Sequence, residues 1–350
     1  MNEILAAYKG KRVLVTGHTG FKGSWLCQML KMAGAEVIGY ALEPNVQPSL
    51  YELADIGDGM HSVIGDIRDL GHLTKVFKEY QPEYVFHLAA QPIVRESYRN
   101  PVDTYSTNVM GTVNLLECVR HTVSVRSVLN ITTDKVYLNE EKGEAFREDG
   151  KLDGHDPYSN SKSCSELVTH SYVKSFLMEK GVCVSTARAG NVIGGGDFEK
   201  DRIIPDCVRA VLAGEPIIVR NPHSVRPFQH VLEPLYVYLL IAQKQLEDPN
   251  LQGAYNVGPD QEDCWTTGRL VDCFCDKWGE GSSWVNQNQR GPHEAGLLLL
   301  DCRKLKETFG WEPCWNIDIA MDKIVEWTKI YRAHGSVKEC MEQQIREFFE

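Results

Sequence analysis

The chain has no run of Lys or Arg longer than a pair, and its 350 residues carry a formal net charge of -11. That leaves none of the basic footprint needed to bind a phosphate backbone, so nucleic acid is not an expected partner. Long apolar runs are missing as well. Leu297–Leu300 and Val237–Ala242 are among the longest, far short of the roughly 20 residues that span a bilayer. Met1 to Lys9 includes Glu3 and lacks a basic segment followed by a long apolar one, so neither a signal peptide nor a membrane partner is expected. Internal repeats and low-complexity linkers are absent. The eleven cysteines are scattered, and the one close pair, Cys273 and Cys275, is separated by a single residue. That spacing does not suit a zinc knuckle, so no metal is expected, and free thiols in a reducing cytoplasm are the expected state.

What is present is a composition of 43% apolar and 24% charged residues, enough to bury a large core. The first half alternates β-rich runs with helical segments. The strands are expected at Arg12 to Thr16, Glu36 to Ala41, His61 to Gly65, Glu83 to Ala89, Arg126 to Thr132 and Val182 to Ala187, the last following a long helix that starts near Tyr158. Runs such as Val13-Leu14-Val15 and Tyr84-Val85-Phe86 are continuously apolar, as in strands covered on both faces. The expected fold is α/β, a Rossmann-type doubly wound parallel sheet over residues 1–190. A smaller mixed α/β lobe should occupy 191–350, with later segments returning to the first. Its helices are expected near Val231 to Leu246 and Asn316 to Arg332, and a strand at Pro216 to Arg220.

Between the first strand and the first helix stands Thr16-Gly17-His18-Thr19-Gly20-Phe21-Lys22-Gly23. Glycines 17, 20 and 23 permit a tight turn, close backbone approach to a pyrophosphate, and tight packing of helix on strand. The acidic residue expected to hold the adenosine ribose falls near the end of the second strand, where Ala41 stands between Tyr40 and Leu42. The choice between NAD and NADP therefore stays open at this point. Asp66, in Gly65-Asp66-Ile67-Arg68-Asp69, could accept from an adenine; its alternative is a helix N-cap, for which Asp69 is better placed.

Asp156-Pro157-Tyr158-Ser159-Asn160-Ser161-Lys162 puts a phenol and an ammonium on one face at the start of a helix. The Lys162 charge favours phenolate, so Tyr158 can take a proton from a substrate hydroxyl while hydride leaves the same carbon. None of the other thirteen tyrosines has Lys four residues later.

These motifs, with His87-Leu88-Ala89-Ala90-Gln91 and Thr107-Asn108-Val109-Met110-Gly111-Thr112, resemble the extended short-chain dehydrogenase/reductase family over nearly the whole chain. Within it, the loop from Gly17 to Gly23, Arg188-Ala189-Gly190-Asn191-Val192-Ile193-Gly194-Gly195-Gly196-Asp197, Arg226-Pro227-Phe228-Gln229-His230-Val231 and His293-Glu294-Ala295 are most similar to the CDP-glucose 4,6-dehydratases. The resemblance implies NAD as cofactor, held by Gly17, Thr19, Gly20, Phe21, Gly23, Asp66, Ile67, Leu88, Ala89, Tyr158 and Lys162. It implies three steps: oxidation of a CDP-linked glucose at C4, elimination of water across C5 and C6, and return of hydride to C6.

By family position Thr133 would hydrogen-bond the 4-oxygen, Asp134 would be the acid and Lys135 the base. Those roles require the neutral Asp134/Lys135 pair, one proton transfer away from the ion pair. In dTDP-glucose relatives Asp-Glu stands where this chain has Asp134-Lys135. The plainer alternative is a surface pair capping a strand end.

Asn191, Arg202 and Arg226 are the candidates for the diphosphate. A solvated surface charge is the alternative for each Arg, more so for Arg202. Gly296 and Leu297 occupy the stretch where many members carry a second phosphate-binding Arg, and Arg290 is a possible substitute. Two rival functions stay open, a nucleotide-sugar 4-epimerase and a non-catalytic dinucleotide-binding regulator. The family also implies a homodimer through helices near Tyr98 to His121 and Pro157 to Lys180.

Overall fold

A computed structural model describes residues 3–140, 143–287 and 298–350. Strands β1 (Arg12–Thr16), β2 (Glu36–Ala41), β3 (His61–Ile64), β4 (Tyr84–His87), β5 (Ser127–Ile131), β6 (Cys183–Ala189) and β7 (Ala254–Val257) form one parallel sheet in the order β7-β6-β5-β4-β1-β2-β3. The principal helices are α1 (Phe21–Met32), α2 (Leu70–Tyr80), α3 (Gly111–Arg120), α4 (Pro157–Tyr172), α5 (Ile203–Ala213), α6 (Leu232–Glu247), α7 (Thr267–Trp278) and α8 (Ile317–Arg332).

The central strands read as apolar runs because both faces of the sheet are covered. Val13 and Val15 join Phe86 and Leu129 in a core with Trp25, Leu26 and Met29 of α1 and Leu235 and Tyr238 of α6. Leu14, Val85 and Val128 point the other way, onto Leu73 and Phe77 of α2 and Leu115 and Leu116 of α3, as the two-residue period of a strand requires. β3, at the edge, carries His61 and Ser62 and is largely exposed.

Two segments of the second half belong to this sheet. β7 pairs with β6, and α6 packs on β5 and β6. Leu235, Val237, Tyr238, Leu239 and Ile241 are all fully buried. A helix apolar on so many sides is stable only inside a core, which draws it back from the second lobe. That lobe has its own core, in which Ile204 and Val208 of α5, Leu270 and Phe274 of α7, and Met321 and Ile324 of α8 meet Phe228.

The neighbours of β1 are β2 on one side and β4 on the other. Connections diverge there to opposite faces and open a crevice at the carboxyl ends of the strands. The stretch Arg290, His293-Glu294-Ala295, Gly296 and Leu297 lies outside the described residues.

Candidate active site

The crevice is a cleft of about 1430 Å³, larger than the roughly 300–1,000 Å³ that encloses a single drug-sized ligand. It has room for a dinucleotide and a second nucleotide side by side. One half is built from the ends of β1, β2 and β4. Gly17 has φ +76°, and a Cβ there would press on the backbone of Leu88 and Ala89; a Cβ on Gly23 would collide with the Gly17 carbonyl. The strand end and the helix thus pack as a glycine-only contact. No side chain caps α1 at Gly20, so its first-turn N–H groups are available to an anion.

Thr19, Phe21, Ile67, Leu88 and Ala89 line the same half of the cleft, and Thr19 Oγ1 donates to the Leu42 carbonyl at 2.9 Å. Asp69 caps α2, accepting from His72 N at 2.9 Å, which leaves Asp66 free of that duty. Asp66 accepts from Arg68 Nε and Nη2 at 2.9 and 2.6 Å. Those bonds hold its carboxyl below the usual carboxylate range. Arg68 Nη1 also reaches Asp103 at 2.6 Å, so Arg68 is already matched by two carboxylates. Ala41 is buried at the end of β2, but Glu43, two residues on, is exposed and lines the cleft. Counting from the glycine loop misses Glu43 because the strand end turns into the cleft after Ala41.

The chemistry-bearing groups stand where β5 ends against α4. Asp134–Val136 is a single 3₁₀ turn capped by the Thr133 hydroxyl, which accepts from Lys135 N at 3.4 Å. Asp134 is 1% exposed, which excludes the surface-pair alternative. Its Oδ1 accepts from Thr133 Oγ1 at 3.0 Å and from Lys135 Nζ at 3.2 Å. Its Oδ2 is buried with no partner among the described residues. The Lys135 side chain keeps 29% exposure and lines the cleft.

Tyr158 and Lys162 come from the first turns of α4, whose N-cap Asp156 accepts from Ser159 N at 3.0 Å. Burial pushes the Tyr158 phenol up to about 12; Asp134 adds to this, while the Thr133 hydroxyl and the Arg202 guanidinium oppose it. The pull toward phenolate thus comes from the Thr133 hydroxyl and the Arg202 guanidinium. Lys162 Nζ donates to the Ile131 carbonyl at 3.0 Å. Burial brings its ammonium down to about 8, with the Glu166 charge working against that fall. Lys22, absent from the sequence-based site, is lowered to about 7 by burial and by the Arg202 and Lys162 charges.

The opposite wall belongs to the second lobe. Asn191 Oδ1 is buried without a partner among the described residues. Arg226 is 8% exposed, and its Nη1 donates to the Val225 carbonyl at 2.8 Å. Arg202, at the N-terminus of α5, donates to Asp197 Oδ2 at 2.8 Å. Both arginines line the cleft, Arg226 buried and the Arg202 side chain 35% exposed. Arg202 is the one a residue-by-residue reading ranks lower, since nothing in sequence places it beside Tyr158.

The family model described as GDP-mannose 4,6 dehydratase matches residues 14–324. The CDP-glucose 4,6-dehydratase of Salmonella typhimurium is 46% identical over 97% of each chain. A dTDP-glucose 4,6-dehydratase of Xanthomonas campestris pv. campestris is 27% identical, covering 90% of this chain and 92% of that one. Among solved structures, the UDP-glucose 4-epimerase of Thermus thermophilus in complex with NAD superposes with a TM-score of 0.78 at 26% identity, covering 91% of this chain and 99% of that one. The chain belongs to the GDP-mannose 4,6-dehydratase family, within the extended short-chain dehydrogenases/reductases.

Proposed function

We propose that this protein is a hydro-lyase that converts CDP-D-glucose to CDP-4-dehydro-6-deoxy-D-glucose, with NAD as its resident cofactor, in deoxysugar biosynthesis. The substrate identity is supported by the 46% identity over 97% of the chain to a CDP-glucose 4,6-dehydratase. The observation that carries the reaction type is the Thr133-Asp134-Lys135 turn set beside Tyr158, with one Asp134 oxygen buried and unpartnered among the described residues. A 4-epimerase needs the phenol and the lysine but no acid-base pair for elimination.

The glycine loop and the uncapped start of α1 fit a pyrophosphate, and the doubly neutralised Arg68 offers no spare charge to a 2'-phosphate, which supports NAD over NADP. Bound NAD supplies the hydride acceptor for C4 and the hydride donor for C6. Tyr158 takes the proton of the 4-hydroxyl, and Thr133 hydrogen-bonds the same oxygen. With C4 a carbonyl, the C5 proton is acidic, and Lys135 Nζ removes it. Asp134 gives its proton to the departing 6-hydroxyl, which leaves as water. Asn191, Arg202 and Arg226 hold the diphosphate through charge-assisted bonds.

Residues 1–190, with β7 and α6, form the NAD lobe in this reading, and 191–350 mainly form the nucleotide-sugar lobe. We assign the enzyme to the cytoplasm, which suits eleven unpaired thiols. We also assign it a homodimer through the segments near Tyr98 to His121 and Pro157 to Lys180, where Val102, Met110 and Leu167 are 81%, 51% and 54% exposed.

The test is incubation with NAD and CDP-glucose deuterated at C4, followed by mass spectrometry and NMR. Deuterium at C6 of the product is expected. A C4-inverted sugar would instead identify an epimerase, and no reaction with any nucleotide sugar a regulator.

A further inference from the structure

Directly beneath the site lies a buried carboxylate that the reaction steps do not use. Glu166 stands four residues after Lys162 on α4, on the same helix face, and is 4% exposed. Its Oε1 accepts a short hydrogen bond from Thr132 Oγ1. Its Oε2 accepts from Thr186 Oγ1 at 2.8 Å and from Arg188 Nη2 at 2.9 Å. Arg188 Nη1 donates on to the Tyr137 hydroxyl at 2.8 Å, and that hydroxyl donates to Asn256 Oδ1 at 2.6 Å. One carboxylate thereby ties α4 to the end of β5 and to β6, and through Arg188 to β7. Thr132 and Tyr137 bracket the turn that carries Thr133, Asp134 and Lys135.

We propose that Glu166 is a positioning residue for both halves of the reaction: it sets a carboxylate one helical turn from Lys162 on the same face of α4, and its bond to Thr132 seats the Thr133–Lys135 turn. The inference rests on the dehydratase reading for its second half only.

Two observations support separate electrical and mechanical effects. Lys162 is surrounded by Tyr158 and Glu166 on α4, Lys22 from α1 and His87 from β4. Its own ammonium and the Lys22 ammonium repel each other, and Lys162 holds the His87 ring, itself buried, further toward neutrality. Glu166 is the charge that favours the Lys162 ammonium against burial. Mechanically, Thr132 N donates to the Ala187 carbonyl at 2.9 Å, while the Thr132 hydroxyl reaches that carbonyl only at 3.4 Å, so Glu166 is the hydroxyl's principal partner. A carboxylate is required in the first role, whereas any hydrogen-bonding partner of the right length serves the second.

The experiment compares Glu166→Gln with Thr132→Val in the full-length enzyme. Lys162 is titrated directly by NMR of ¹³C-lysine-labelled protein, with Lys162→Met identifying the signal. The wild-type midpoint is expected at about 8. Glu166→Gln should lower it by about one pH unit, the size of effect a neighbouring opposite charge produces, and Thr132→Val should leave it in place. This readout needs no substrate, so it stands even if CDP-glucose proves to be the wrong sugar nucleotide.

In quenched-flow turnover, Thr132→Val should slow elimination about tenfold relative to C4 oxidation, the lower end for a misplaced acid-base group, so that the 4-keto-6-hydroxy intermediate accumulates. An unmoved Lys162 midpoint in Glu166→Gln overturns the electrical role, and an unchanged oxidation-to-elimination ratio in Thr132→Val overturns the mechanical one. Should Glu166→Gln fail to fold because Arg188 is left uncompensated, Glu166→Gln/Arg188→Met removes both charges of the pair and is titrated in its place, with a smaller downward shift expected because the more distant Arg188 cation is lost as well.

Discussion

The floor and the far wall of the cleft are built on different principles. On the floor, the groups at the β5 end are held by the chain's own buried partners: Lys162 by the Ile131 carbonyl, Asp134 by Thr133, Thr132 by Glu166. On the wall, guanidinium groups are matched by carboxylates of the same lobe, Arg202 by Asp197 and Arg220 by Asp201, with Arg95 reaching across to Asp201 at 3.5 Å. The floor is arranged before substrate arrives, as a transition-state site must be. In the proposed function the wall supplies Arg202 and Arg226 to the substrate diphosphate. Floor variants should therefore cost turnover, and wall variants should cost affinity.

The largest expected effect is on the floor. Tyr158→Phe should lower kcat by about 10³-fold, within the range for losing an acid-base group, with KM nearly unchanged; steady-state kinetics on CDP-glucose checks this. Next, Lys135→Met should keep NAD binding and C4 oxidation but slow elimination by about 10²-fold or more, seen as incorporation of no C6 hydride in the deuterium experiment. Normal turnover in that variant would remove Lys135 from the role of base.

On the wall, Arg226→Met should raise KM for CDP-glucose by about 10- to 100-fold, the scale of a lost charge-assisted contact, while kcat stays within about threefold. A fall in kcat matching the rise in KM would erase the distinction between the two surfaces. A smaller effect sharpens it. Because Lys162 is brought down to about 8, the buried Tyr158 and Lys162 pair loses a proton near that pH. The reactive pair, phenolate Tyr158 beside cationic Lys162, carries one proton fewer than the resting pair, so the rate of C4 oxidation should rise with pH up to about 8 and level off above it, whereas diphosphate binding by the arginines should stay flat. A pH profile of single-turnover oxidation beside one of CDP-glucose affinity separates them.

Much of the floor could be read along the chain. The Gly17, Gly20 and Gly23 spacing, the run from Thr133 to Lys135 and the Tyr158-Lys162 interval are each local, set by the pitch of one helix or the end of one strand. Continuous apolar strands likewise announced a sheet covered on both faces. Less of the wall was legible. In sequence Arg202 is the weaker of the two diphosphate arginines, and only the fold sets its charge near Tyr158; Glu43 sits beyond the counted position at Ala41. The Glu166–Arg188 pair joins residues from different elements, and nothing in their spacing marks them as partners.

Residue types at fixed short intervals thus determined the fold class, the glycine loop and the candidates for proton transfer, since backbone geometry alone brings such neighbours together. Tertiary structure decided how those groups are tuned. The return of α6 and β7 to the sheet closes the core beneath the site, and burial then moves Tyr158 upward and Lys162 downward. Desolvation and charge pairing act through space, between segments that sequence distance does not relate.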